Sequence, residues 1–269
     1  MSPDHANAAK DLSIVMPAYN EAATLERIVE KVLTVPRLLE LIIVDDGSTD
    51  ATPEIARRLV ADYPMIKYFR MELNAGKTAA LVTGFSVSTG DIVIVQDADL
   101  EYDPAEIADV IYPIVDGHAD VVYGSRFMIR RAARVLYFSH YLANKALTFV
   151  SNVMTNLNFT DVETCYKAFR GDIIRQMNIT SKGFGFEIEV TAKVAKLGCV
   201  VYEVPISYYG RTYAEGKKIG YRDGVAALWY IVRFNAFSRL STSFRSLPKV
   251  SDPSGSNASP QLSKTRELR

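Results

Sequence analysis

Apolar positions in the first half of the chain follow two alternating spacings. Leu12–Met16, Leu41–Val44, Met65–Phe69, Ile92–Val95 and Val121–Tyr123 are short, mostly apolar runs. Between the first two, Glu21–Leu33 places Leu25, Ile28, Val29, Val32 and Leu33 at helical intervals. Thr52–Ala61, Thr78–Val87 and Pro104–Val115 also read as helices. Asp50 is placed to cap the first of these three, with Pro53 and Glu54 in its first turn. Asp103 stands in the same relation to Pro104. Strand–helix alternation with continuously apolar strands predicts an α/β fold, a mostly parallel Rossmann-like sheet with helices on both faces. Ligands of such sheets sit outside the carboxyl ends of the strands. Attention therefore falls on the loops at 17–21, 45–48, 96–101 and 123–126.

The second half is less regular. Val135–Leu157 reads as one long amphipathic helix, Glu187–Leu197 as a helix stopped by Gly198, and Val200–Val204 as a strand. Tyr221–Leu240 reads as a last, aromatic-rich amphipathic helix. From Ser241 the composition shifts to eight Ser and three Pro in the last 29 residues, which predicts a disordered tail over 241–269. With residues 1–10 expected to be disordered as well, one domain remains, spanning 11–240.

Composition removes several classes of function. The formal net charge is zero over 269 residues, which argues against a nucleic-acid partner. Cys165 and Cys199 are too few for a disulfide framework and fit a reducing, cytoplasmic compartment. The first residues lack the layout of a signal peptide, and no run approaches the roughly 18 apolar residues needed to span a bilayer. The expectation is a soluble or peripheral protein. His5, His118 and His140 are scattered and match no metal pattern.

The acids are the candidate chemistry. Asp97, Asp99, Glu101 and Asp103 occupy alternate positions where an apolar strand ends. Asp97 and Asp99 flank the small Ala98, and two hard oxygen ligands on one side suit Mg²⁺ or Mn²⁺ shared with substrate phosphates. Helix capping explains Asp103 well and the other two poorly. In Val44-Asp-Asp-Gly-Ser-Thr-Asp50, a capped loop accounts for Gly47, Ser48 and Asp50 but leaves Asp45 and Asp46 unexplained; acids at this position commonly hold a ribose or base edge. Asn74-Ala-Gly-Lys-Thr78 is not a phosphate-binding P-loop, because Met71 stands where that motif needs glycine. No Gly-x-Gly-x-x-Gly follows the first strand either. Lys77 fits a nucleotide contact and a loop cap equally well.

Taken together, PAYNE at 17–21, VDDGSTD at 44–50, the Asn-x-Gly-Lys segment and QDAD at 96–99 resemble family-2 glycosyltransferases, within them the dolichol- and polyprenol-phosphate hexose synthases. YGSR at 123–126, DVETCYK at 161–167, GFGFEIE at 183–189 and YYGRTYAEGKK at 208–218 extend the resemblance over roughly 11–235. It implies a GT-A fold binding a nucleotide-diphosphate sugar across the carboxyl edge of the sheet. Pro17, Tyr19 and Glu21 would lie by the nucleoside, and Asp45 and Asp46 by base and ribose. Asp97 would complete the nucleotide site, and Asp99 would bind metal and diphosphate, with Glu101 a further ligand. Arg211 and Lys217 would steady the leaving diphosphate, although a solvated basic loop is the plainer reading of that run.

A polyprenyl or dolichyl phosphate is largely a dianion at neutral pH and needs no general base. Glu187 or Glu189 would matter as a base only for a hydroxyl acceptor. Arg126, Arg130, Arg131 and Arg134 lie within nine residues and run into the apolar, aromatic Val135–Leu142. This pattern suits an interfacial helix with Arg126, Arg131 and Arg134 on the acceptor phosphate, or equally a packed helix with a solvated arginine face. Three functions compete: hexose transfer from GDP-mannose or UDP-glucose to a polyprenyl phosphate at the cytoplasmic face of a membrane, transfer to a hydroxyl acceptor, and nucleotide-sugar binding without catalysis.

Overall fold

The computed structural model describes residues 11–128, 137–183, 185–210 and 221–251. A seven-stranded sheet forms its centre. In chain order the strands are β1 (Leu12–Ala18), β2 (Leu38–Asp45), β3 (Ile66–Arg70), β4 (Ile92–Val95), β5 (Val121–Ser125), β6 (Lys167–Arg170) and β7 (Val201–Pro205), arranged β3-β2-β1-β4-β6-β5-β7. Every pairing is parallel except those of β6, which runs antiparallel between β4 and β5.

The sheet is buried on both faces. Ile14, Met16, Ile43 and Ile94 point into one cluster with residues of α1 (Leu25–Val32), α2 (Thr52–Asp62) and α4 (Ile107–Val115). Val15, Ile42, Val44, Val93 and Val95 point into the other with residues of α3 (Lys77–Val87), α6 (Gly171–Gln176) and α7 (Phe186–Leu197). Burial on both faces is why these strands read as continuous apolar runs. A third, smaller cluster joins Leu147 of α5 (Phe138–Thr155) to Ile188 of α7 and to Ala227 and Ile231 of α8 (Tyr221–Val232). The two outer helices thus lie side by side over α7.

Four expectations are corrected. The strand β6 and the helix α6 were not anticipated. The first helix starts at Leu25, not Glu21; residues 21–24 form a turn, tied to the start of α2 by the Glu21 N–H on the Thr52 hydroxyl at 2.9 Å. The aromatic helix beginning at Tyr221 does not run to Leu240. It loosens into a π-helical turn at Arg233–Phe237 and stops at Ser238, where Lys196 Nζ takes the Phe234 and Ser238 carbonyls. Residues 241–251 are not disordered: α9 (Leu240–Ser243) leads into buried Phe244, which bridges Met177, and Ser251 donates to Asp120. Of the predicted helix Val135–Leu157, the structure shows α5; its first residues lie outside the described ones.

Candidate active site

Five loops meet at the carboxyl edge of the parallel strands. The β1 loop turns at Asn20, whose φ of 56° is in the left-handed region that asparagine tolerates. Its side-chain Oδ1 accepts from Thr49 N at 2.8 Å and its backbone N–H donates to Ser48 Oγ at 2.9 Å. This ties the Pro17–Glu21 loop to the β2 loop. Pro17 and Glu21 are half-buried, and Tyr19 is exposed.

Asp45 and Asp46 are not idle acids. Asp45 is fully buried and accepts from Ser48 N and the Tyr68 hydroxyl, each at 2.8 Å. Asp46 is 3% exposed and accepts from Ala75 N at 2.7 Å and Gly76 N at 2.8 Å. The expectation that a capped loop leaves this pair unexplained is therefore corrected: both carboxylates accept from loop backbone N–H groups. Gly47 is required between them and the next loop. Its φ is 72°, and a Cβ there would come within 3.0 Å of Asn74 N.

Gly76, at φ 90°, opens α3, so that Lys77 stands at the first helical position. Lys77 reaches Asp97 Oδ1 at 2.9 Å, Cys165 Sγ at 2.8 Å and Glu187 Oε1 at 3.6 Å. Burial works against its charge, but Asp97, Cys165 and Glu187 hold its pKa well above the ordinary lysine value. Thr78 Oγ1 donates to Gly183 O at 2.8 Å, bringing the start of α7 to the same place.

The acidic β4 loop is shaped by Leu100, whose φ of 64° is unusual for a branched apolar residue. The reversal sends the acids to different partners. Asp97 faces Lys77, Asp99 Oδ1 accepts from Glu101 N at 3.1 Å, and Glu101 Oε2 accepts from the Tyr208 hydroxyl at 2.8 Å. Among the described residues no three acids, histidines or cysteines gather as a metal-binding group. What fits Mg²⁺ or Mn²⁺ is the partly open Asp99, since such ions keep waters and take their remaining oxygens from substrate phosphates. Asp103 caps as expected, accepting from Ala105 N at 3.3 Å.

The reversed strand β6 brings residues 161–166 to this edge. Arg126 makes a bidentate pair with fully buried Asp161, Nε to Oδ2 at 2.7 Å and Nη2 to Oδ1 at 2.8 Å, and stacks 5.2 Å from the Tyr208 ring. Burial opposes the Asp161 charge, but the guanidinium keeps its carboxyl below the usual range. Arg126 is thus anchored rather than free. Lys167 is fully buried, donating to the Val162 and Thr164 carbonyls and lying 4.5 Å from the Tyr123 ring. Burial lowers its pKa. Glu189 turns away from the site to the N–H groups of Thr180 and Ser181 and to Lys193, which excludes it as a base. Arg131, Arg134, Arg211 and Lys217 lie outside the described residues.

Sequence reading missed Asp161, Glu163, Cys165 and Lys167 as site residues. Their signal was a dense polar run, DVETCYK, with no assigned role.

The sequence profile described as glycosyl transferase family 2 matches residues 13–177, more than half of the chain. The chain belongs to glycosyl transferase family 2. This glycosyltransferase is 28% identical over 231 residues to an undecaprenyl-phosphate mannosyltransferase of Micrococcus luteus, covering 80% of its own length and 94% of the relative's. It is 29% identical to a polyprenol monophosphomannose synthase of Mycolicibacterium smegmatis, covering 77% and 80%. To a dolichol-phosphate mannosyltransferase of Pyrococcus furiosus it is 30% identical, covering 78% and 59%. Its fold matches the glucosyl-3-phosphoglycerate synthase of Mycobacterium tuberculosis, solved with Mn²⁺ and UDP, with a TM-score of 0.66, 20% identity and coverage of 86% and 82%. The GT-A architecture expected from sequence is present.

Proposed function

We propose that this glycosyltransferase moves a hexose from a nucleotide-diphosphate sugar to the phosphate of a polyprenyl or dolichyl lipid at a membrane surface. The lipid acceptor rests on one structural observation, the outer face of α5 and α8. Phe138, Leu142, Phe149 and Val153 form a stripe along α5, and Phe138 and Phe149 are 74% and 68% exposed. Val225, Leu228, Trp229 and Val232 continue it on α8, followed by Phe237. The 18 residues of α5 include no acid and one lysine, Lys145, which folds back onto Thr160 O and the Phe127 ring. Arg233 and Arg239 stand exposed beside Phe237. An apolar, aromatic face edged by arginine suits a bilayer interface. Among the described residues no helix is long and apolar enough to cross a membrane. The substrates named for the three relatives support the same acceptor.

In this reading Pro17, Tyr19 and Glu21 line the nucleoside, with Asp45 and Asp46 shaping that wall from beneath. Lys77 and Asp97 border the diphosphate. Asp99 would hold Mg²⁺ or Mn²⁺, which would supply charge neutralisation at the leaving diphosphate, and Arg211 and Lys217 assist. Arg131 and Arg134 hold the acceptor phosphate, with the remaining N–H groups of Arg126 behind them. The phosphate dianion attacks the anomeric carbon with inversion and needs no protein base.

A screen of GDP-mannose and UDP-glucose against a short isoprenyl phosphate, with Mg²⁺ or Mn²⁺, tests this. A lipid-linked hexose phosphate is the expected product. Transfer only to hydroxyl acceptors, or binding without turnover, would overturn it.

A further inference from the structure

Among the described residues, three buried polar atoms in the wall beside Asp97 have no hydrogen-bond partner: Glu163 Oε1, Thr164 Oγ1 and Glu187 Oε2. A buried polar atom left without a partner is destabilising. Such a cost is tolerated where a ligand supplies the missing donor. Glu187 is 3% exposed, and its other oxygen faces Lys77 and Cys165. The carboxylate therefore ends directly beneath the group that borders the diphosphate. Lys77, Asp97, Glu163 and Cys165 are all partly open and form the mouth above it.

We propose that Glu163 and Glu187 receive the ring hydroxyls of the transferred hexose, which makes this wall the sugar-recognising part of the site. The inference rests on the nucleotide-sugar reading above. The chemistry is complementary. Glu187 Oε1 lies 3.6 Å from the Lys77 ammonium, and Oε2 is left facing the site as an acceptor. Burial, and then the Glu187 charge, push Glu163 up to about 7, so near neutral pH it both accepts and donates. A hydroxyl does both too, whereas the diphosphate offers acceptors alone and would be repelled by two acids. The wall thus selects sugar over phosphate.

The test compares two ligands that differ only in the hexose. Calorimetry of the full chain with Mn²⁺ would measure GDP against GDP-mannose and UDP against UDP-glucose, in wild type, Glu163→Gln and Glu187→Gln. Each variant should weaken the nucleotide sugar about ten-fold, the size of a lost hydrogen bond to a charged group, and leave the bare diphosphate within about two-fold. Equal losses for both ligands, or none for either, would overturn the assignment. If Glu187→Gln fails to fold, Glu163→Gln decides alone, because no ion pair among the described residues depends on Glu163. Failure of the functional reading is distinguishable: wild type would then bind neither nucleotide sugar, and the assignment would fall with it.

Discussion

Acids at the end of β2 and acids in the wall around β4 and β6 have the same chemistry and opposite situations. Asp45 and Asp46 are sealed, and the oxygens of Asp46 face two N–H groups of the neighbouring loop. Asp97 and Asp99 remain partly open, and Glu163 and Glu187 each keep an oxygen that nothing in the described protein satisfies. A carboxylate that is both sealed from solvent and satisfied by the backbone serves the fold. One that the fold leaves incomplete is kept for something else. The count of acids at a strand end does not distinguish these cases; the count of donors around them does.

The comparison predicts opposite phenotypes, the largest on the ligand side. Asp99→Ala should lower turnover about 10²-fold or more through loss of the metal and its charge neutralisation, while the melting midpoint moves by no more than about 2 °C. EDTA should act like the substitution. Near-full activity in either would break the division.

Asp46→Asn should show the reverse balance. An amide can accept with only one of its two ends, so one loop N–H loses its acceptor. A cost of about 2 kcal/mol and a fall of about 5 °C in melting midpoint are expected. A stable variant with weakened nucleotide binding would return Asp46 to the ligand side.

A pH series sharpens the contrast further. The Glu163 carboxyl is pushed up to about 7 in the folded protein by burial and then by Glu187, against 4.5 for an ordinary glutamate. Between these values the folded state binds the proton more tightly than the unfolded state. Its stabilising contribution is therefore complete below about 4.5 and lost as pH rises through about 7. Melting curves across this window should converge toward those of Glu163→Gln at low pH and separate at high pH, with wild type the less stable. Parallel curves would place Glu163 in water.

The smallest effect is on the basic side. Arg131→Ala should raise KM for the polyprenyl phosphate about five-fold, roughly the 1 kcal/mol of one surface arginine near anionic lipid, and leave KM for the nucleotide sugar unchanged. Steady-state kinetics with each substrate varied in turn reads this directly; a change confined to the donor would move the cluster to the diphosphate.

Much of this was legible in sequence. The five parallel strands of the first half and the loops after them follow from apolar spacing, and Asp103 follows from capping preference. The reversed strand β6 was not legible. It has four residues, and its first is a lysine that reads as exposed. The Val162 and Thr164 carbonyls, on the turn just before it, and the Tyr123 ring, brought by another strand, make its burial tolerable. The break after Val232 was hidden for the same reason, since it is imposed by Lys196 from another helix. The docking of 241–251 hangs on Phe244, a single aromatic in a serine-rich stretch. Partners of acids are invisible in the same way: DD at 45–46 and DAD at 97–99 look alike until the chain is folded.

The position of Trp229 has an experimental corollary. It is the only tryptophan in 269 residues and is 58% exposed on the outer face of α8. All indole emission from this protein thus comes from the surface proposed to meet the bilayer and none from the interior. Adding vesicles would shift that emission to the blue if the face enters lipid, and brominated acyl chains would dim it according to depth. The wild-type chain is its own optical depth gauge and needs no label.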